Sequence, residues 1–242
     1  MSSPERTVLL AGSTGLVGGH CLHHLLSASA PSATRVVSLV RRAPPTTDPR
    51  VTPLVADFAA LDRLAPVAAS VALCALGTTI KKAGSKDAFR AVDFDAVVAF
   101  ARWARRGGAT VFGLVSSVGA DARAGTFYLQ VKGEAEDAVA ALGFTSFVAL
   151  RPSVLLGARS EARPGEQIAQ ALMPIVNPLL VGGASRYRAI RAEQVGAALA
   201  GLVEQAPPGR VVWHHAELVA ADVARLAPSP LTPSPGGSMP LA

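Results

Sequence analysis

Cysteine, aromatic side chains and charge are all scarce in this chain, and each scarcity narrows the class of protein. Its 242 residues include two cysteines, 5% aromatic and 17% charged residues, against 50% hydrophobic residues. Cys21 and Cys74 each lie in an apolar stretch with no neighbouring ligand at metal-binding spacing, so we expect buried, reduced thiols. The length and the hydrophobic content predict one large core with a small appended lobe.

The sequence also lacks a long apolar run. None reaches the roughly 18 to 20 uncharged residues that a membrane-spanning helix needs. Residues 1–6 lead directly into a predicted strand rather than into the apolar core of a signal peptide. We therefore expect a cytoplasmic protein with no membrane partner.

Neither the histidines nor the basic residues indicate a metal or a nucleic acid. The histidine pairs at 23–24 and 214–215 lack the i, i+4 spacing and the carboxylates of a zinc site, so no metal is expected. The net charge of +6 comes mainly from scattered arginines. Arg102, Arg105 and Arg106 end a predicted helix, where cations complement the helix dipole. Without interleaved aromatics or a recognition helix, we expect no nucleic-acid partner.

Short runs rich in valine and leucine alternate with longer, alanine-rich helical patterns. This alternation predicts an α/β fold: a doubly wound parallel sheet of Rossmann-like type, with three layers in the order helix, sheet, helix. The sequence predicts strands over 7–11, 35–40, 51–55, 71–75, 110–115 and 145–150, and helices over 16–27, 87–106 and 127–142.

After Arg151 the pattern loosens, and proline and glycine punctuate short helical pieces. We expect residues 1–226 to form a single domain, of which residues 152–226 include a small substrate lobe. Within that part, a helix over 192–205, a strand over 210–213 and a short helix over 222–226 are predicted. The Pro-rich stretch 227–242 has no apolar periodicity and is predicted to be a disordered tail.

A glycine-rich turn follows the first predicted strand. It reads Gly12-Ser13-Thr14-Gly15-Leu16-Val17-Gly18 and opens a predicted helix. The first glycine allows the tight turn, the second lets backbone amides approach a pyrophosphate, and the third lets the helix pack close to the sheet. The helix N-terminus adds unpaired N–H groups and partial positive charge. The turn therefore predicts a bound dinucleotide, held by residues 12–17.

The end of the second strand indicates which dinucleotide. An NAD-binding protein usually places a carboxylate there, whereas this chain has Arg41 and Arg42 and no acid before Asp48. Guanidinium groups suit a 2′-phosphate, so we predict NADP(H). Farther on, Asp57 is predicted to accept a hydrogen bond from the adenine amine beside Phe58, although Asp57 as a simple helix cap is almost equally favoured.

Two more strand ends carry small or hydroxyl-bearing residues. Leu76-Gly77-Thr78-Thr79 follows the fourth strand, where small residues let the backbone approach the cofactor ribose and nicotinamide. Ser116 and Ser117 end the fifth strand. Because ligands bind at the carboxyl ends of parallel strands, we expect all these loops to meet in one crevice.

Tyr128 and Lys132 follow on the next predicted helix. A spacing of four places both side chains on one face, where an ammonium can stabilise a phenolate. An ordinary tyrosine has a pKa of roughly 10, so such a neighbour is needed for proton transfer near neutral pH. A serine hydroxyl at the preceding strand end can donate a hydrogen bond to a substrate carbonyl, while the tyrosine transfers the proton. The pair alone is a weak signal, since it is usually a ring packed on a lysine stem.

The order of these motifs resembles that of the short-chain dehydrogenases. The stretches Cys74-Ala75-Leu76-Gly77-Thr78-Thr79 and Tyr128-Leu129-Gln130-Val131-Lys132-Gly133-Glu134 further resemble the atypical branch that contains the HIV Tat-interacting oxidoreductase. The resemblance covers about residues 8–205. It implies an NADPH-binding fold, catalysis by Ser117, Tyr128 and Lys132, with Ser116 as the alternative serine, and a cofactor contact at Pro152. Residues 158–191 are less alike, so it implies no particular substrate.

Three functions follow as hypotheses. The first is an NADPH-dependent oxidoreductase that reduces a small-molecule carbonyl or oxidises its alcohol. The second is a non-catalytic NADPH sensor or partner-binding regulator on the same fold. The third, a nucleotide-sugar epimerase, is disfavoured because little protein follows Arg151 to enclose such a substrate. The sequence leaves open a protein partner and the choice between monomer and dimer.

Overall fold

A seven-stranded parallel sheet forms the centre of the computed structural model, which describes residues 6–27, 34–42, 48–156 and 180–226. The strands lie in the order β3-β2-β1-β4-β5-β6-β9. Their bounds are β1 Arg6–Ala11, β2 Thr34–Val40, β3 Val51–Val55, β4 Val71–Cys74, β5 Val111–Val115, β6 Ser146–Leu150 and β9 Gly209–Trp213. The order reverses between β1 and β4, as in a doubly wound sheet. The predicted fold class is confirmed.

Helices cover both faces of this sheet. They are α1 Leu16–Leu26, α2 Ile80–Ala83, α3 Lys86–Arg90, α4 Ala96–Arg106, α5 Phe127–Ala140, α6 Ala192–Gly201 and α7 His215–Leu226. The single helix predicted over 87–106 is wrong in one respect, because a π-helical turn, Ala91–Asp95, separates α3 from α4. The short helix predicted over 222–226 is also wrong, since α7 begins seven residues earlier.

In the strands at the centre of the sheet, alternate residues point into two separate hydrophobic clusters, one on each face. From β1, Leu9 points into a cluster with Phe100 and Trp103 of α4. Its neighbour Leu10 points into the opposite cluster, which includes Leu25 of α1. A strand buried on both faces needs apolar residues at every position, which explains the uninterrupted valine and leucine runs.

The region after β6 is only partly described. A second, two-stranded parallel sheet pairs β7 Leu155–Leu156 with β8 Ile190–Arg191, and a 3₁₀ turn runs over Gly182–Tyr187. Residues 157–179, which belong to the predicted substrate lobe, and the predicted tail 227–242 lie outside the described residues. The division into one domain with a lobe therefore stays a prediction.

Among the described residues, neither a membrane-spanning helix nor a cluster of metal ligands is present. No helix among them is both long enough and apolar enough to cross a bilayer. No group of three or more His, Cys, Asp or Glu side chains in the same ranges is arranged to hold a metal ion.

Candidate functional site

The loops that carry the predicted site leave the sheet at one edge. Gly12 follows β1, Arg41 follows β2, Ala75 follows β4, Ser116 follows β5 and Arg151 follows β6. Because these strands are parallel, all five loops emerge at their carboxyl ends. Sheet topology thus brings the predicted segments to one side of the molecule.

The glycine turn is closely packed against the main chain around it. Gly12 has a φ of +86°, and a Cβ there would lie 2.5 Å from the carbonyl oxygen of Ala75. The N–H of Gly15 donates to the carbonyl of Gly12 at 2.9 Å, which closes the turn before α1. A Cβ on Gly18 would lie 2.0 Å from that same carbonyl oxygen. Only hydrogen fits at Gly12 and Gly18, so the first turn of α1 can lie directly beside the end of β1.

The other residues of the turn differ in exposure. Thr14 and Gly15 are exposed, Leu16 is half-buried and Val17 is buried. Ser13 is buried, and its hydroxyl lies 2.6 Å from that of Ser38 in β2. Its hydroxyl is therefore engaged with the protein, so we expect Ser13 to contact a ligand through its main chain. The first turn of α1 contains no acidic residue, which suits a phosphate.

The side chains after β2 and β3 fall into two groups. Arg41 and Arg42 are both exposed, as ion pairing with a bound phosphate requires. Asp57 instead caps the 3₁₀ turn Phe58–Arg63 and accepts a hydrogen bond of 3.0 Å from the N–H of Ala59. Phe58 is packed into the core. The capping role of Asp57 is thus present, and its contact with adenine stays a prediction.

The loop after β4 is held by two hydrogen bonds. The N–H of Thr78 donates to Oδ2 of Asp93 at 2.9 Å, and Thr79 caps α2 by accepting from the N–H of Lys82 at 3.2 Å. Gly77 is exposed and Leu76 is half-buried. The backbone at Gly77 therefore lies open to a ligand while its neighbours are fixed.

Tyr128 lies in the first turn of α5, and Lys132 follows one turn later. The Tyr128 ring is half-buried and packs on the Phe89 ring, with 5.4 Å between centroids. The Lys132 side chain is only 7% exposed. Burial works against its ammonium charge, but the charges of Asp93 and Tyr128 outweigh burial, so the pKa of Lys132 is raised above its ordinary value. Lys132 therefore favours its charged form, one helical turn after Tyr128.

The partner of Lys132 is Asp93, which the sequence analysis missed. The Asp93 side chain is fully buried, and its Oδ1 lies 2.8 Å from Nζ of Lys132. This is an ion pair defined by charge and distance, since Oδ1 makes no hydrogen bond of proper angle among the described residues. The apolar spacing could have revealed it, because Phe89, Asp93 and Val97 recur every four residues and so predict a buried acid.

The two candidate serines have different surroundings. Ser116 is buried, and its hydroxyl donates to Oε1 of Glu136 at 2.5 Å. Arg151 donates to the same carboxylate, from Nε at 2.9 Å and from a terminal nitrogen at 2.7 Å. Ser117 is half-buried, and among the residues that the structure describes its hydroxyl makes one long hydrogen bond, of 3.4 Å, to the carbonyl of Val118. The Ser116 hydroxyl is thus committed to a hydrogen bond within the protein and the Ser117 hydroxyl is held only weakly, while the role of Ser117 as the catalytic serine stays a prediction.

Pro152 and a nearby cavity complete this edge. Pro152 is buried, and its carbonyl accepts from the N–H of Val118 at 3.0 Å, which ties the loops after β5 and β6 together. A cavity of about 400 Å³ lies beside α5 and is lined by residues 120–123 and by Arg151 and Arg210. Neither Tyr128 nor the glycine turn lines it, so this cavity is separate from the predicted crevice.

The two cysteines are buried thiols, as the sequence predicted. Burial raises the pKa of the Cys74 thiol to about 12. A thiol with such a pKa is neutral and unreactive near pH 7.

Together, the parallel sheet with its glycine turn and the Tyr-x-x-x-Lys pair on the helix after β5 define an NAD(P)-binding, Rossmann-like protein of the short-chain dehydrogenase type. Comparison with known proteins narrows this class. The chain is 35% identical over 221 residues to the protein fmp52, mitochondrial, of Emericella nidulans, covering 86% of this chain and 94% of the relative. It is 40% identical over 172 residues to protein HTATIP2 of Rattus norvegicus, covering 69% of each. The chain therefore belongs to the atypical short-chain dehydrogenase family of fmp52 and HTATIP2, as the resemblance predicted. No protein-family model matches it.

Solved structures share the fold at low sequence identity. The MoeE5 structure in complex with UDP-glucose and NAD is 18% identical, with a TM-score of 0.62, covering 88% of this chain and 80% of that one. The human epimerase family protein SDR39U1 (isoform 2) with NADPH is 17% identical, with a TM-score of 0.59, covering 86% of this chain and 74% of that one. At such identities the likeness shows the fold alone.

The relatives overturn one expectation. The fmp52 proteins of Emericella nidulans, Aspergillus clavatus and Candida albicans are all named as mitochondrial. The cytoplasmic location expected from the sequence is therefore contradicted. That expectation rested on the absence of a signal-peptide core, and this absence does not exclude an organelle.

Proposed function

We propose that this protein is an NADPH-dependent oxidoreductase that reduces a small-molecule carbonyl, or oxidises the corresponding alcohol. One observation carries the proposal. The half-buried phenol of Tyr128 shares a helix face with the buried ammonium of Lys132, at the sheet edge that also holds the glycine turn. A phenol near a lysine that favours its charged form is suited to proton transfer at a substrate oxygen.

The glycine turn fits a dinucleotide. A side chain at Gly12 or Gly18 would collide with main chain. Because both residues are glycine, the turn can be tight enough to bring backbone N–H groups together with the N-terminus of α1. Residues 12–17 would hold the pyrophosphate, and residues 76–79 would lie along the ribose and nicotinamide. When bound, the cofactor supplies the hydride.

Residues of the chain itself would transfer the proton. We expect Ser117 to donate a hydrogen bond to the substrate oxygen, while Tyr128 gives its phenolic proton to that oxygen during reduction. Lys132 stabilises the resulting phenolate through its charge. In the oxidative direction the same groups act in reverse, with Tyr128 as the base.

The preference for NADPH is argued from Arg41 and Arg42. Both are exposed directly after β2, where NAD-binding proteins usually carry an acid for the ribose hydroxyls. A guanidinium can pair with a 2′-phosphate through charge and paired hydrogen bonds. We expect the Arg41→Ala/Arg42→Ala variant to weaken NADPH binding about tenfold to a hundredfold, from the loss of charged hydrogen bonds, without weakening NADH binding. Arg35→Ala is the matched control, because Arg35 is exposed at the other end of β2.

Turnover tests the main proposal. The purified protein is mixed with NADPH and a panel of aldehydes, ketones and quinones, and NADPH oxidation is followed by absorbance. Tyr128→Phe should lose turnover at least a hundredfold, since general acid catalysis contributes about 10² to 10⁴, and should still bind NADPH. Tyr187→Phe removes the same hydroxyl from an exposed position and serves as control. Full turnover by Tyr128→Phe would refute the proposed acid, and NADPH binding without turnover of any carbonyl would favour a sensor.

A further inference from the structure

Asp93 occupies an unusual place in the fold. It lies in the π-helical turn Ala91–Asp95 between α3 and α4, and its side chain is fully buried. Such turns are rare and occur frequently at functional sites. A carboxylate without solvent is costly unless charge and hydrogen bonds compensate it, so its partners should explain its presence.

Those partners come from two different parts of the site. Oδ1 of Asp93 faces Nζ of Lys132 at 2.8 Å, and Oδ2 accepts the N–H of Thr78 at 2.9 Å. Gly77 covers the pair, because a Cβ there would lie 3.4 Å from Oδ1 and 3.6 Å from Nζ. One carboxylate thus joins the lysine of α5 to the loop that follows β4.

The charge of Lys132 depends on this neighbour. The titratable groups around Nζ are Asp93 from the π-helical turn, Tyr128 from α5 and Cys74 from β4. The buried Cys74 thiol stays neutral near pH 7 because its pKa is about 12. Asp93 is therefore the group that supplies negative charge before the phenol ionises. A lysine buried without such a partner loses its proton readily.

We propose that Asp93 is a positioning residue that keeps Lys132 charged and fixes it between Tyr128 and the loop at Gly77 and Thr78. The effect of this role on catalysis rests on the proposed function. The effect of Asp93 on the charge of Lys132 involves only residues of this chain, so it can be tested without substrate.

The test compares Asp93→Asn with Asp95→Asn. Asparagine keeps an acceptor for the N–H of Thr78 and removes only the charge. Asp95 lies two residues away in the same π-helical turn but is exposed, which makes it a matched control. The chain has four lysines, and Lys81, Lys82 and Lys86 are exposed. The protein is labelled with carbon-13 lysine, and the Lys132 signal is assigned with Lys132→Gln and titrated by NMR.

We expect Asp93→Asn to lower the pKa of Lys132 by at least about one unit, since a paired charge typically shifts a buried group by about 1 to 3 units. Asp95→Asn should leave the titration unchanged. In turnover, Asp93→Asn should lower kcat/KM at least tenfold and move the alkaline limb of its pH profile to lower pH. A parent-like Lys132 titration in Asp93→Asn would overturn the proposal, and so would a parent-like pH profile.

Two possible outcomes require a further comparison. If circular dichroism shows that Asp93→Asn does not fold, the folding of the double variant Asp93→Asn/Lys132→Gln is measured next. Folding of this neutral pair supports the proposal, because only the unpaired lysine was harmful, whereas failure of both variants gives Asp93 a role independent of Lys132 and overturns it. A parent protein that turns over no carbonyl counts against the proposed function alone, and the NMR titration still decides the charge of Lys132.

Discussion

Arg151, at the end of β6, holds the fully buried carboxylate of Glu136 with two hydrogen bonds of 2.9 and 2.7 Å. Ser116 at the end of β5 donates to the same carboxylate. Glu136 lies one turn after Lys132 on α5, so this network fixes the helix that carries the Tyr-x-x-x-Lys pair to two strand ends. The precision of the candidate site therefore depends on a polar cluster that takes no part in the proposed chemistry.

Glu136→Gln should destabilise the protein strongly. Removing one member of a buried ion pair leaves the other charge uncompensated, which typically costs about 3 to 5 kcal/mol. The adjacent Asp137 pairs with Arg210 at 2.7 Å, but both side chains are about half exposed. Asp137→Asn should therefore cost at most about 1 kcal/mol. Urea unfolding measures both values, and equal losses would show that the Glu136 network does not hold α5.

The two neighbouring serines should separate stability from activity. Ser116→Ala removes a hydrogen bond to a buried carboxylate and should lower the free energy of unfolding by about 1 to 3 kcal/mol. Ser117→Ala removes a hydroxyl with one long hydrogen bond. It should leave the unfolding midpoint unchanged and lower kcat about a hundredfold to a thousandfold, as the loss of a single oxyanion donor does. The reverse pattern would make Ser116 the catalytic serine.

Alanine at Gly18 and at Gly19 should have opposite effects. A Cβ at Gly18 would lie 2.0 Å from the carbonyl oxygen of Gly12, so Gly18→Ala should distort the turn, cost about 1 to 3 kcal/mol and abolish NADPH binding. At Gly19 the nearest atom, the Ser13 carbonyl oxygen, is 3.5 Å away. Gly19→Ala should raise stability by about 0.4 to 1 kcal/mol, because alanine has less freedom to lose on folding. Thermal unfolding and NADPH titration by calorimetry check both variants.

Acid should destabilise the start of α7. Burial, aided by the charge of Arg151, lowers the pKa of His214, and burial, aided by Arg188, lowers that of His215. Folding therefore favours the neutral forms of both histidines. Their contribution to the free energy of unfolding is complete above the ordinary histidine pKa of about 6.5 and is lost as the pH falls below that value. The urea concentration at the unfolding midpoint should therefore decrease as the pH is lowered from about 7.5 to about 5.

The variant His214→Gln/His215→Gln should flatten this dependence. His23→Gln is the control, because His23 is exposed on α1. If the double variant keeps the full pH dependence of the parent, these two histidines are not its cause.

Local patterns predicted the sheet well and the helices less well. Every predicted strand forms, within about one residue of its expected bounds. The signal is clearest in the central strands, because a strand buried on both faces must be largely apolar. The start of α7 was missed because His214 and His215 are weak helix formers, and this turn is stabilised by the burial of Leu218 in the hydrophobic cluster that also contains Leu25. The π-helical turn was missed because one extra residue in a turn leaves the apolar spacing almost unchanged.

The sequence by itself determined the parallel fold, the glycine turn and the family, because each depends on residue types in a fixed order along the chain. Tertiary structure alone decided which side chains meet. It paired Lys132 with Asp93, 39 positions earlier in the printed sequence, and it committed Ser116 to Glu136. Such pairings depend on distances between elements and on the loss of solvent around them, and neither quantity is written in the spacing of residues along one strand or helix.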